Sequence, residues 1–261
     1  MTQIYTITNQ KGGIGKSTTA QNIGAGLNRL YKKKVLLIDL DPQENLSLAT
    51  GCRKSKANIL EVLRENIPVE DTIQTIREGL DIIPSSIDLY NADKEFAGAI
   101  AGGKKLKRGI APIKDKYDYI IIDTPPALGV LTVNALTVAD RVVIPAQADL
   151  FSLEAIKQLR TTMGLIIETE ENAKLKVEGI LLTRYSPRSI ISQEIKELID
   201  KTAGTMQTKI FSRPIREAVA IKEAQASHTD IFEYAPESKV AGDYKHLIEE
   251  LLSTENKGAQ E

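Results

Sequence analysis

The chain has 261 residues, 42% hydrophobic and 26% charged, the mix of an ordinary globular protein long enough for one large domain or two small ones. Cys52 is the single cysteine, and the two histidines, His228 and His246, stand apart in sequence. This excludes an intrachain disulfide framework, a CxxC redox site and metal centres built on paired cysteines within one chain. With 34 basic and 35 acidic residues the net charge is -1, so any nucleic-acid binding has to come from local patches.

No stretch reaches the ~18–20 apolar residues of a membrane span. The opening Met1-Thr2-Gln3-Ile4-Tyr5 has no basic region ahead of an apolar one, and a cytoplasmic protein is expected. In chain order, Ile4–Thr8, Val35–Leu40, Leu80–Pro84, Tyr119–Asp123, Arg141–Pro145 and Val177–Thr183 read as strands. Several are apolar at nearly every position, as strands covered on both faces are. Lys16–Leu30, Ser86–Ala99, Leu153–Glu168, Ile190–Ala203 and Lys239–Leu252 carry helical patterning. The alternation predicts a single α/β domain over residues 1–252: a mostly parallel twisted sheet with helices on both faces. The polar residues Ser253–Glu261 are expected to form a disordered tail.

The most informative segment runs from Ile4 to Thr18. A strand ends, Lys11-Gly12-Gly13-Ile14-Gly15-Lys16-Ser17-Thr18 follows, and a helix begins. Glycines let successive N–H groups turn inward on an anion, and the helix N-terminus adds its dipole. Lys16 can reach terminal phosphates and Ser17 offers a hydroxyl to Mg²⁺. The ordinary G-x-x-x-x-G-K-[ST] pattern fails, because Gln10 stands where its first glycine belongs and a second lysine, Lys11, opens the loop.

Two further apolar strands end in carboxylates, Asp39 and Asp41 in Asp39-Leu40-Asp41-Pro42-Gln43, and Asp123 before Thr124-Pro125-Pro126. An aspartate at a strand end is usually a cap or turn residue. In open parallel sheets, however, ligands sit outside the carboxyl ends of the strands, where these acids converge on the loop. One of them has to help hold Mg²⁺, as in P-loop NTPases.

Together the loop, the Asp-Leu-Asp-Pro-Gln motif and Ile121-Ile122-Asp123-Thr124-Pro125-Pro126 closely resemble the ParA/Soj family of partition ATPases, in the deviant Walker A class. Ile215-Arg216, Lys222–His228 and Phe232–Ser238 also look like that family, so the resemblance spans nearly the whole chain. It implies that Lys11 is the signature lysine that reaches the partner's phosphates across a nucleotide-sandwich homodimer. Gly12, Gly13, Ile14, Gly15, Lys16, Ser17 and Thr18 would form the nucleotide cradle. Asp41 would position the attacking water, and Asp39 and Asp123 would support Mg²⁺ through waters, with Ser17 as the metal-binding hydroxyl. Arg184 would lie near the adenine.

The resemblance further implies slow ATP hydrolysis unless stimulated, non-specific binding of double-stranded DNA by the ATP dimer, a ParB-like centromere-binding partner and association with the nucleoid. Basic clusters occur at Lys32–Lys34, Lys104–Arg108, Arg184 with Arg188, and Arg213 with Arg216. Most such runs are solvated helix faces; Arg188, Arg213 and Arg216 are the expected DNA contacts. Lys104–Arg108 is expected on a surface helix before the Asp123 strand.

Alternatives are a MinD-like positioning ATPase, whose relatives use a C-terminal amphipathic helix on membranes, and a P-loop biosynthetic ligase such as dethiobiotin synthetase. The last helix here has a mainly acidic polar face, where a membrane-surface helix should be basic, and is expected to pack on the sheet. The first strand opens the chain, so no N-terminal helix-turn-helix extension is expected.

Overall fold

The computed structural model describes residues 2–96, 102–169, 171–185 and 190–258. The chain begins with β1 (Gln3–Ile7) and α1 (Lys16–Tyr31), then β2 (Val35–Asp39), α2 (Asn45–Ala49) and α3 (Ile59–Arg64). Next come β3 (Gln74–Arg77), β4 (Leu80–Ile83), α4 (Ala92–Phe96) and α5 (Lys105–Gly109). β5 (Tyr119–Asp123), α6 (Val130–Val138), β6 (Arg141–Ala146), α7 (Leu150–Glu168) and β7 (Lys176–Leu182) complete the sheet. The chain continues through α8 (Ile190–Thr205), α9 (Val219–Ala226), α10 (Ile231–Tyr234) and α11 (Lys239–Gly258).

The seven strands lie in the order β3-β4-β2-β5-β1-β6-β7. All neighbours are parallel except β3, which pairs antiparallel with β4 at the edge. Both faces are covered. On β5, Ile121 joins a core with α1 and α11, while Ile120 and Ile122 face a second core with α3, α5 and α6. A third core lies between β6, β7, α7 and α8. This two-sided burial is why the strands read as unbroken apolar runs.

Each of the six expected strands is present with its ends within one residue, and β3 is an addition. The helix expected over Ser86–Ala99 is instead a 3₁₀ turn at Ile87–Asn91 leading into α4, and 97–101 lie outside the described residues. Lys104–Arg108 does lead into the short helix before β5.

The expected tail needs correction over 253–258, while 259–261 lie outside the described residues. α11 continues through Ser253 to Gly258, because Glu255 accepts hydrogen bonds from Tyr5 and Tyr119. The apolar side of α11 (Val240, Tyr244, Leu247, Ile248, Leu251) is buried in the first core. α1 comes so close that a Cβ on Gly26 would lie 2.3 Å from the Ile248 side chain and 2.7 Å from Phe232, so this crossing needs glycine. With its apolar side spent on α1, α11 does not offer that surface to a membrane, and no helix among the described residues is long and apolar enough to cross one.

Candidate functional site

Parallel pairing puts the C-terminal ends of β1, β2 and β5 side by side. Asp39 is directly opposite Asp123, and Ile7, the last residue of β1, is opposite Asp123 on the other side. The loop after β1 is therefore delivered beside two carboxylates by the sheet itself.

Local hydrogen bonds fix the loop. Asn9 Nδ2 donates to Pro145 O at 2.7 Å while its Oδ1 accepts from Lys11 N. Thr183 Oγ1 donates to Ile14 O at 2.9 Å, tying the loop to the end of β7. Gly13 and Gly15 have φ of +72° and +90°, the left-handed region in which a side chain is strained. Gly15 is also the residue before the first turn of α1, so the loop's N–H groups and the helix dipole address one spot.

The charged groups there are buried and differ in their partners. Lys16 is 6% exposed and donates to Lys11 O at 3.2 Å. Burial pushes its ammonium down, against the pull of Asp123 and Asp41. Asp39 is a hub: Oδ1 accepts from Asp41 N, and Oδ2 accepts from Ser47 N and Oγ at 2.8 and 2.6 Å. Burial pushes its carboxyl up to about 6 against those hydrogen bonds.

Asp123 is fully buried, and neither carboxylate oxygen has a hydrogen-bond partner of ordinary geometry among the described residues. Burial, then the neighbouring Asp39 charge, raise its carboxyl well above the usual range; Ser17 and Lys16 are near enough to oppose this. Asp41 accepts from Gln43 N at 3.0 Å and is raised by burial.

A cavity of about 470 Å³ opens over these groups, lined by Gly12, Gly13, Gly15, Lys16, Ser17, Thr18 and Asp41, with Gln43, Arg184, Gln225 and His228 at its sides. A smaller one, about 80 Å³, continues between Gly15, Thr18, Arg184, Arg216, Ala218 and Ile221. A larger groove of about 1350 Å³, between α7 and residues 205–209, lies away from this chemistry. Convergent charge, not size, selects the site.

The buried, unpartnered oxygens of Asp123 next to Ser17 fit a divalent cation, which the protein alone leaves to be completed. No group of three or more His, Cys, Asp or Glu among the described residues could hold a metal. Mg²⁺ needs six oxygens and keeps waters or takes phosphate oxygens.

Sequence reading thus brought Lys16, Ser17, Asp39, Asp41 and Asp123 to one place, with Arg184 at the cavity wall. It missed Gln147 and Asp149, which hold the Lys11 amine. Their signal was Asp149 three residues ahead of Ser152, the spacing of a helix cap. It also missed Ser47, which satisfies Asp39, and Gln225, whose amide donates to Thr18 Oγ1.

The expected DNA contacts separate. Arg213 is exposed. Arg216 donates from Nε and Nη2 to the two oxygens of Asp243 at 2.6 and 2.8 Å, so a phosphate would have to share its fork. Arg188 lies outside the described residues.

A family model described as an AAA domain matches residues 2–177. The chain is 39% identical over 256 residues to the sporulation initiation inhibitor protein Soj of Bacillus subtilis, covering 97% of this chain and 99% of that one. A crystal structure of cobyrinic acid a,c-diamide synthase from Mycobacterium smegmatis with bound ADP and magnesium matches with a TM-score of 0.83 at 30% identity, covering 99% of this chain and 97% of that one. A putative plasmid partition protein from Borrelia burgdorferi bound to AMPPNP matches with a TM-score of 0.82 at 27% identity, covering 97% and 100%.

Proposed function

The chain belongs to the ParA/Soj family of partition ATPases, and on that premise we propose that it is an ATP-driven DNA-segregation switch. Two copies close on each other with ATP between them. The closed dimer binds double-stranded DNA without sequence preference on the nucleoid, and a ParB-like centromere-binding partner ends each cycle by stimulating hydrolysis.

The observation that carries this reading is the division between the two lysines. Lys16 is buried among the acids of its own loop. The Lys11 amine instead reaches the turn after β6, where it meets Gln147 and Asp149. Its own cradle does not need it, and across a closed dimer it can supply the second cation that a transferring phosphoryl group requires.

In this reading the loop N–H groups, Lys16 and Thr18 bind the phosphates. Arg184 borders the nucleoside end. Ser17 Oγ would hold Mg²⁺, and Asp123 and Asp39 would support it through waters. The bound Mg²⁺ supplies charge neutralisation at the phosphates. Asp41 orients the attacking water: one oxygen is fixed by Gln43 N, which aims the carboxylate at the cavity that Lys16 and Ser17 also line.

Closing the cavity against a second copy excludes water and strengthens each of these interactions. DNA binding then comes from local cations doubled by dimerisation, Arg213 with Arg188 and the part of Arg216 left open, since a net charge of -1 supplies no global attraction.

Mobility shifts on unrelated duplexes with ATP, ADP and no nucleotide test this. Binding is expected with ATP alone, collapsing between roughly 50 and 200 mM salt as phosphate contacts are screened, and Arg213→Glu weakens it on every duplex alike. Equal binding in all nucleotide states, or none in any, contradicts the partition reading in favour of a ligase or a positioning ATPase.

A further inference from the structure

Lys11 is tied within its own chain through its side chain, its carbonyl and its N–H, the last donating to Asn9 Oδ1 at 3.1 Å. Its ammonium donates to Gln147 Oε1 at 3.0 Å and is in close ion-pair contact with Asp149 Oδ2. Its carbonyl accepts from Lys16 Nζ. The side-chain contact is partly shielded, with Lys11 25% and Asp149 33% exposed. Asp149 is also spoken for on its other oxygen: Oδ1 caps α7 by accepting from Ser152 N at 2.9 Å, and Gln147 N is held by Ser152 Oγ at 3.1 Å. The receptor for the amine is thus built into the start of a 19-residue helix and does not depend on flexible surface groups. Burial raises the Asp149 carboxyl, but the Lys11 and Ser152 hydrogen bonds outweigh it and hold the group below its ordinary value.

We propose that Asp149, with Gln147, is a positioning residue that latches Lys11 in a resting place within its own chain, and that this latch has to open before Lys11 can act on another copy. The proposal rests on the reading of Lys11 as the lysine that works across the dimer. The geometry supplies a way for nucleotide to loosen the latch. A phosphate entering the loop competes for Lys16 Nζ, and once that amine leaves the Lys11 carbonyl, Lys11 loses one of its three ties and keeps the N–H bond to Asn9 and the side-chain contact. The remaining ion pair is part-exposed, so it is weak enough to exchange Asp149 for a more highly charged phosphate. A solitary copy then keeps its second cation away from phosphate, which ties activity to pairing.

The test uses the full chain and Asp149→Asn. Asparagine caps a helix as well as aspartate does, so this variant keeps α7 while removing the charge; Ser152→Ala keeps both the charge and the backbone N–H that the cap uses and removes only the hydroxyl that accepts from Gln147 N and reaches Asp149 Oδ2 at 3.4 Å. In the first measurement, without nucleotide, the protein is pulsed with an amine-acylating reagent and the rate at Lys11 is read by mass spectrometry. Asp149→Asn should label Lys11 several-fold faster than wild type, and Ser152→Ala close to the wild-type rate. The second measures the protein concentration for half-dimerisation with ATP by light scattering. Asp149→Asn should dimerise at a concentration roughly two- to fivefold lower, the scale of a part-exposed ion pair.

Unchanged labelling in Asp149→Asn, or dimerisation that needs equal or more protein, overturns the latch. A shift in Ser152→Ala as large as in Asp149→Asn also overturns it, because the Asp149 charge would then not be what holds the amine. If wild type makes no dimer with ATP, the trans role of Lys11 fails with the partition reading, and the labelling rates alone decide whether Asp149 holds the amine.

Discussion

Towards the N-terminal end of the sheet, Glu255 accepts from the hydroxyls of Tyr5 and Tyr119, both at 2.7 Å; at the C-terminal end of the same two strands, Asp123 has both carboxylate oxygens buried and, among the described residues, without a hydrogen-bond partner of ordinary geometry. The first end is close to closed. The tyrosine rings stack at 6.4 Å, Arg141 pairs with Glu178 and Asp140 accepts from Ile4 N at 2.9 Å, with one Glu178 oxygen left over. The second end concentrates Asp39, Asp41, Asp123 and Lys16 where burial opposes every charge. Both ends bury polar groups. The difference teaches that burial of charge alone does not mark a site; what marks it is several buried charges gathered around a carboxylate that keeps neither oxygen paired.

The comparison breaks most visibly through Lys16 and Asp41. Lys16→Ala removes the buried cation of the cradle and should weaken ATP binding at least ~100-fold, about 2.7 kcal/mol, in titration with a fluorescent ATP analogue. Unchanged affinity would mean the open end is not a phosphate site. Asp41→Ala should bind ATP and dimerise yet hydrolyse it ~100–1000-fold more slowly, because orienting water matters to the chemical step and not to the ground state. Normal turnover in phosphate-release assays would remove Asp41 from that role.

The closed end should behave in the opposite way. Glu255→Ala strands two phenol hydroxyls and should cost ~2–3 kcal/mol of stability in denaturant unfolding, while ATP turnover by the folded fraction stays at the wild-type level. A loss of turnover without a loss of stability would mean that the two ends are not separable.

The two ends were not equally legible. Glycines, lysines and aspartates at strand ends announced the C-terminal side, because phosphate chemistry restricts residue type within a short segment. The core strands were legible for a related reason: two covered faces leave no polar positions, as in Tyr119–Asp123 with all five residues buried. The opposite end gave no such signal. Glu255 meets Tyr5 across 250 residues of chain, so composition alone made Ser253 onward look like a tail.

α6 was missed for a different reason. Val130–Val138 is buried almost all round and has no polar side to display a helical period. β3, the mixed Gln-Thr-Ile-Arg edge strand, is specified by its antiparallel pairing with β4 and not by an apolar pattern. The resting place of Lys11 was hidden because it joins residues 136 and 138 positions apart.

The central claim is that the open end is held open for Mg·ATP at the expense of the fold's own stability. Thermal unfolding of wild type and Asp123→Asn, each with and without Mg·ATP, tests it most directly. Removing a buried carboxylate that faces Asp39 should stabilise the nucleotide-free protein by ~1–2 kcal/mol, a rise of roughly 2–8 °C for a chain of this size. Mg·ATP should then raise the melting temperature of the variant less than that of wild type, because a neutral amide supports a divalent cation less strongly than a carboxylate does. A variant that melts below wild type without nucleotide and gains as much from Mg·ATP would contradict the account.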